Sequence, residues 1–344
     1  MKICVVTLVG LFNYGNRLQN YAVTRALEAR GHEVATVGSS WRPPVEAAKR
    51  FLRGVIGRSV DPAASMSEAR LDRFREFNSL IDVERLPRLG RELDERFDKF
   101  VVGSDQVWNP NYLYDERGYF LSFASPEKRV ALSASFGVDR IPEDRARGFR
   151  EGLRGIPSIS VREEEGAVIV RELAGRVAPV LIDPTMAVDA SEWRPLERAD
   201  CTPGGEYVFS YVLGKSEEAE RVLSDLGSRG VAIVKMTDRG VAGEPNAGPR
   251  EFLSLIDNAS LVVTNSFHGS VFSTLFGKPL CIVRRDGAND MSSRLATLAG
   301  KFGLSEEARR SEVLGVPCVA DYSGVDEALA RERAAFDAFL DGAL

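Results

Sequence analysis

At 344 residues the chain exceeds one ordinary core and suits two lobes, and 44% hydrophobic with 28% charged residues is a globular composition that excludes disordered and fibrous classes. The balance of 45 basic against 50 acidic side chains, net −5, gives no basic footprint for nucleic acid. Two histidines and four scattered cysteines, Cys4, Cys201, Cys281 and Cys318, exclude a three-imidazole zinc site and a Cys-x-x-Cys centre, and reduced thiols fit a cytoplasmic protein.

The first element is an apolar strand, Ile3 to Leu8, which starts too soon after Met1 to leave room for a signal peptide. A loop holding Gly10, Asn13, Tyr14, Gly15 and Asn16 follows, then a helix with Leu18, Ala22 and Ala26 on one face, then a strand from Glu33 to Val37. This β-α-β start predicts a parallel sheet. Residues 42–97, rich in Arg, Glu and Pro, read as a helical insertion with one clear helix over Glu68 to Asn78. Strands resume at Lys99 to Gly103, Arg129 to Gly137 and Ser158 to Val161. Glu163, Glu164 and Glu165 then suit the start of a helix, where acidic groups complement the dipole.

A proline-broken apolar stretch, Pro179 to Thr185, marks the expected junction between an N-terminal lobe, 1–178, and a C-terminal lobe, 179–325. The alternation repeats there: strands at Tyr207 to Val212, Val231 to Met236, Leu261 to Thr264 and Pro279 to Val283, with helices at Ser216 to Gly227, Pro249 to Asn258 and His268 to Phe276. Helical stretches begin near Ser292 and Asp326, and the last, 326–344, packs on either lobe or serves a partner. No stretch is long enough to span a bilayer. The fold class is α/β, with two Rossmann-like lobes facing a cleft at the carboxyl ends of their strands.

Five groups of candidates fall at or near those strand ends. His268 follows the polar run Thr264, Asn265, Ser266 and Phe267 and precedes Gly269 and Ser270, at a helix start where free amides and the dipole favour an anion. A helix cap is the plainer role for this histidine. Asp105 follows Gly103 and Ser104, and either orients a hydroxyl or caps a turn; Trp108, with Gln106 and Asn109 beside it, is either a flat platform for a sugar or a core residue. Arg162 ends a strand, ready to grip a carboxylate or phosphate, or else to pair with Glu163 to Glu165. Arg284, Arg285 and Arg294 are further candidates for an anion rim, with Lys278 behind them; Asn13, Tyr14 and Asn16 are candidates for an acceptor-binding loop that matches neither a dinucleotide fingerprint nor a P-loop.

Taken together, Asn13-Tyr14-Gly15-Asn16-Arg17-Leu18-Gln19, Val102 to Pro110, Ser133 to Gly137, Ile159 to Glu165, Leu181 to Thr185 and Asn265 to Ser270 resemble the polysaccharide pyruvyl transferase family, in the family's order. The resemblance implies a GT-B-like fold and transfer of a pyruvyl group from phosphoenolpyruvate to two hydroxyls of a sugar, giving a cyclic ketal. Phosphoenolpyruvate is then a co-substrate, with no separate cofactor and no metal. The resemblance implies a donor site in the C-terminal lobe around His268 and Arg162, and an acceptor facing Asp105. The acceptor is a sugar, oligosaccharide or lipid-linked glycan of exopolysaccharide or cell-envelope synthesis; peripheral membrane association and oligomeric state stay open. Some family members carry arginine where this chain has Ser266, which leaves the second cation on the donor to Arg284, Arg285 or Arg294. Rival readings are a nucleotide-sugar glycosyltransferase and a non-catalytic two-lobed protein that binds anionic sugars.

Overall fold

The computed structural model describes residues 1–10, 13–39, 66–86, 89–111, 113, 115–237, 241, 243–287, 292–304 and 311–344. The first sheet holds β1 (Lys2–Val6), β2 (Glu33–Ser39), β3 (Val83–Leu86), β4 (Lys99–Val102), β5 (Arg129–Ala134) and β6 (Ser158–Val161), in the order β3-β2-β1-β4-β5-β6. All its pairings are parallel, the doubly wound order in which ligands meet the carboxyl edge. The strands are short apolar runs because helices cover both faces: Ile3, Cys4, Val5 and Val6 are all fully buried.

Helix α1 (Tyr14–Glu28) follows β1; its N-cap is Asn13, whose side chain accepts from the Asn16 amide at 2.9 Å. That capping bond satisfies an amide the helix itself cannot. Helix α2 (Glu68–Asn78) appears as the sequence predicts, but the insertion also contains β3, which extends the sheet edge. The rest of the expected insertion, 40–65 and 87–88, lies outside the described residues. Helices α3 (Glu143–Arg154) and α4 (Glu164–Ala174) complete this lobe.

The second sheet, ordered β10-β9-β7-β8, is also parallel. Its strands are β7 (Val208–Tyr211), β8 (Ile233–Met236), β9 (Leu261–Thr264) and β10 (Leu280–Ile282), and its helices are α5 (Glu217–Ser228), α6 (Pro249–Asp257), α7 (Phe267–Leu275) and α8 (Ser292–Phe302). A small antiparallel hairpin, β11 (Ser311–Val313) with β12 (Val316–Cys318), follows. The final helix, α9 (Val325–Ala343), packs back against the first lobe: Arg30 pairs with Asp337 at 2.7 Å and Asp341 at 3.0 Å, and Lys99 donates to the Ala343 carbonyl at 3.1 Å. One apolar cluster runs through both lobes and this helix, from Leu18 and Phe77 through Trp193, Phe252 and Phe272 to Phe336 and Leu340. The four cysteines are free, and no helix among the described residues is long and apolar enough to cross a membrane.

Candidate active site

The carboxyl edge of the first sheet is tied together below the cleft. At the end of β4, Gly103 has φ +130, and a Cβ there would lie 2.1 Å from the Leu132 carbonyl oxygen, so only glycine fits. Two non-glycine residues beside it, Asp105 at φ 60 and Ser133 at φ 46, hold left-handed backbone of the kind that persists when surrounding contacts over-determine it. Those contacts are present. The Ser104 amide donates to Gln19 at 2.9 Å, the Ser104 hydroxyl to the Ser133 carbonyl at 2.9 Å, and the Ser133 hydroxyl to the Ile182 carbonyl at 2.8 Å. Glu163 is fully buried, and its Oε1 accepts from the Ser135 hydroxyl and from the Phe136 and Gly137 amides. It therefore fastens the loop after β5, whereas Glu164 and Glu165 occupy the first turn of α4 as the dipole argument predicts.

From the second lobe, β9 turns into α7 through Ser266, the N-cap, whose hydroxyl accepts from the Gly269 amide at 3.3 Å. Ser270 donates back to the Ser266 carbonyl at 3.1 Å, and Asn265 bridges the Leu213 amide and carbonyl at 2.7 and 3.1 Å. His268 is the second residue of α7, 7% exposed. Its ring lies over Gly15 at the start of α1: a Cβ on Gly15 would stand 1.9 Å from Nδ1. Two helix starts, one from each lobe, thus meet at this imidazole.

Asp183, at the N-cap of the short turn Pro184–Ala187, joins the lobes electrostatically. It accepts from Arg162 Nη1, lies 3.5 Å from His268 Nε2, and accepts the Thr185 hydroxyl at 2.7 Å and the Thr185 amide at 3.0 Å. Burial works to raise its pKa, but the charges of His268 and Arg162 outweigh burial and hold the carboxyl well below the usual range. Asp105 is balanced in the same way: burial raises it, and Arg162, His268 and Arg294 together hold it low. Asp105 sits 3.5 Å from Arg162 Nη2 and accepts from Asn16 Nδ2 at 3.3 Å. Among the described residues, Arg162 Nε and Nη2 and His268 Nε2 have no hydrogen-bond partner. Buried nitrogens without a hydrogen-bond partner are costly unless a ligand completes them.

His268, Asp105, Arg162, Phe267, Arg294 and Asn16 are therefore brought together. The ion-pair partners of Arg162 are Asp105 and Asp183 rather than the Glu163 to Glu165 run, because the strand end turns it inward. The other candidates are engaged within the chain or lie apart from this cluster. Trp108 is fully buried, stacks on Phe120 with centroids 5.4 Å apart and donates its indole N–H to the Tyr119 carbonyl at 2.9 Å, so neither face is open to a sugar. Tyr14 is enclosed between the lobes, stacked on Phe252, with its hydroxyl donating to the Ala247 carbonyl at 2.9 Å. Asn109 donates to Gln106 at 2.7 Å within its own loop, and Asn13, Ser266, Gly269 and Ser270 build the helix starts. Arg284 is exposed beside Glu218 and Arg285 lies against Gly214, neither paired with Asp105 or Asp183. Lys278 faces Asp257 at 3.9 Å, outside the cluster. Asp183 and Gly15 are the residues whose part the sequence did not disclose, although both lie within the segments that carry the resemblance. Among the described residues no group of three or more His, Cys, Asp or Glu is placed to hold a metal.

The family model described as polysaccharide pyruvyl transferase matches residues 13–287. The chain belongs to the polysaccharide pyruvyl transferase family. Among curated proteins none matches its sequence. Among solved structures, it is similar to UDP-GlcNAc 2-epimerase from Methanocaldococcus jannaschii, at 9% identity and TM-score 0.51, with 97% of this chain and 99% of that chain covered. A Streptomyces sp. SF2575 glycosyltransferase, SsfS6, matches at 15% identity and TM-score 0.40 over 99% of each chain. The first likeness establishes for this pyruvyl transferase family member the GT-B-like pair of Rossmann-like lobes, and nothing of its substrate.

Proposed function

We propose that this family member transfers the pyruvyl group of phosphoenolpyruvate to two hydroxyls of a sugar in a glycan or glycan precursor, forming a cyclic ketal and releasing phosphate. The observation that carries the reading is the buried pair of Arg162, just after β6, and His268, at the start of α7 in the other lobe, each with a side-chain nitrogen unused, beside the Asp105 carboxylate of the first lobe. Such a set fits a small, highly charged donor better than a neutral one.

In this scheme His268 delivers a proton to the methylene carbon, and the central carbon becomes an oxocarbenium-like electrophile. One sugar hydroxyl bonds to it. Asp105, a weak base because its pKa is held low, orients that hydroxyl and takes its proton as the oxygen turns acidic. Phosphate leaves with the electron pair of the C–O bond and with the Asp105 proton. The second hydroxyl closes the ring and returns a proton to His268, which ends as it began. Arg162 and the α7 amides hold the donor's charge throughout, and Asp183 fixes Arg162 and the imidazole in place.

The test is donor choice: the protein is incubated with sugar acceptors and either phosphoenolpyruvate or nucleotide sugars, with phosphate release and acceptor mass as readouts. Phosphate release with the mass gain of one pyruvyl ketal is expected. His268→Ala is expected to lower turnover by about 10²- to 10⁴-fold while phosphoenolpyruvate still raises the melting temperature. Stabilisation by nucleotide sugars alone overturns the reading.

A further inference from the structure

The first turns of α1 reach the site from a side that the chemistry above does not use. Arg17 is fully buried and Asn16 is 2% exposed. The Arg17 guanidinium grips one oxygen twice: Nε and Nη2 donate to Asn16 Oδ1 at 3.1 and 2.8 Å. Its other bonds go to the Leu8 carbonyl and, at 3.4 Å, to Asn78 Oδ1. All these acceptors are neutral. Asn16 in turn donates from Nδ2 to Asp105 Oδ2 at 3.3 Å.

Only one orientation of the Asn16 amide satisfies both ends. A guanidinium can only donate and an ionised carboxylate can only accept, so with Oδ1 held by Arg17 the N–H₂ end must face Asp105. The carboxylate is thereby met oxygen by oxygen: Oδ2 by Asn16, and Oδ1 by Arg162 Nη2 at 3.5 Å. The same helix holds the backbone one turn further on. Gln19 Oε1 accepts from the Ser104 amide at 2.9 Å, while its Nε2 donates to Thr7 Oγ1 and to the Asn16 carbonyl, both at 3.0 Å. Such holding is needed because Asp105 sits at φ 60, a left-handed backbone that a non-glycine residue keeps only when its neighbours over-determine it.

We propose that Arg17 is a positioning residue for the Asp105 carboxylate, acting through Asn16, whose amide it locks with the N–H₂ end toward Asp105. The proposal rests on the pyruvyl-transfer reading, in which Asp105 orients the attacking sugar hydroxyl. The charges that act on Asp105 are those of Arg162, His268 and Arg294, the groups around the donor. Asn16, with the Gln106 amide, holds the carboxylate from its own lobe and so keeps it from closing on those cations.

The experiment measures kcat, the KM for phosphoenolpyruvate and the pH–rate profile for the wild type, Asn16→Leu, Arg17→Met, their double variant and Arg17→Lys. Asn16→Leu is expected to lower kcat about 10- to 100-fold, as loss of a hydrogen bond to a charged group predicts, with the KM for phosphoenolpyruvate unchanged. Its acidic limb is expected at higher pH, because the carboxylate has lost a donor that favours its charged form; lost packing alone does not move that limb. Arg17→Met is expected to lower kcat as well, and to cost nothing further once position 16 is leucine. Losses that add in the double variant overturn the relay, as does a wild-type rate or an unmoved limb in Asn16→Leu. If either substitution prevents folding, Arg17→Lys decides: lysine keeps the charge but not the two-pronged grip on Oδ1, so a several-fold lower kcat with the same shift of the limb supports the relay, and an unmoved limb overturns it. A wild type without turnover on phosphoenolpyruvate removes the pyruvyl-transfer reading and this role with it, whereas a wild type that turns over with Asn16→Leu unaffected removes only the role of Arg17 and Asn16.

Discussion

At Asp183 a carboxylate buried from water is held ionised by Arg162 and His268. The sign of its pH dependence follows: its folded-state pKa is below the unfolded value, so its contribution to stability is complete above the unfolded value and is lost as pH falls through the folded one. Asp183→Asn leaves Arg162 with Asp105 as its remaining ion-pair partner, and breaking a buried pair costs about 3–5 kcal/mol. The urea midpoint of the variant is therefore expected well below wild type at pH 7, with the gap narrowing as pH falls below about 4, where the unfolded carboxyl takes up its proton. A gap that stays constant from pH 7 to pH 2 would show that the Asp183 charge is not what matters. None of this was legible from the residue itself, because its partners come from other elements. Gly15 was hidden for the same reason: its need to lack a side chain is visible only once His268 of the other lobe lies on it. His268 and Arg162 could be read because each lies just beyond the carboxyl end of a strand in an open parallel sheet. Trp108 could not, because a glycine-flanked loop suits a buried indole as well as an exposed one.

Among the elements, the strands were legible because parallel sheets covered on both faces become short apolar runs. Helix α2 of the insertion was legible as a helix, but its part in joining the lobes was not, because it meets charged partners on the second lobe. Arg70 pairs with Glu244 at 3.1 Å, with side chains 2% and 5% exposed, and its guanidinium lies 5.3 Å from the centre of the Tyr14 ring. Arg73 meets Glu251, and Glu76 meets Arg198 and Arg250. Such a helix reads as surface while it fastens one lobe to the other. The buried Arg70–Glu244 pair decides how. Arg70→Met alone leaves Glu244 buried without its ion-pair partner and is expected to destabilise by about 3–5 kcal/mol, whereas Arg70→Met with Glu244→Leu is expected to recover most of that loss. Denaturant midpoints of the four proteins in the cycle measure it, and two single losses that simply add would show that the pair is not coupled.

For the whole molecule, the question is whether the two lobes unfold as one. The sequence suggested separate cores on either side of a junction, and each lobe does have an apolar cluster of its own, but a further cluster joins Leu18 and Leu27 of α1, Trp193 of the connection, Phe272 of α7 and Phe336 and Leu340 of α9. Helix α9 adds ion pairs to Arg30, but the Asp337 and Asp341 side chains there are 55% and 68% exposed, and exposed pairs contribute about 0–1 kcal/mol. The apolar contacts must dominate. Phe336 is fully buried, and Phe→Ala in a core costs about 3–5 kcal/mol. Because the cluster belongs to both lobes, Phe336→Ala is expected to move a single unfolding transition to lower denaturant, with tryptophan fluorescence and far-ultraviolet circular dichroism still coincident. Arg30→Ala is expected to move it little. Two separated transitions in the wild type, or a Phe336→Ala change confined to one of them, would mean that the core of each lobe outweighs the shared cluster, and that α9 does not couple the two.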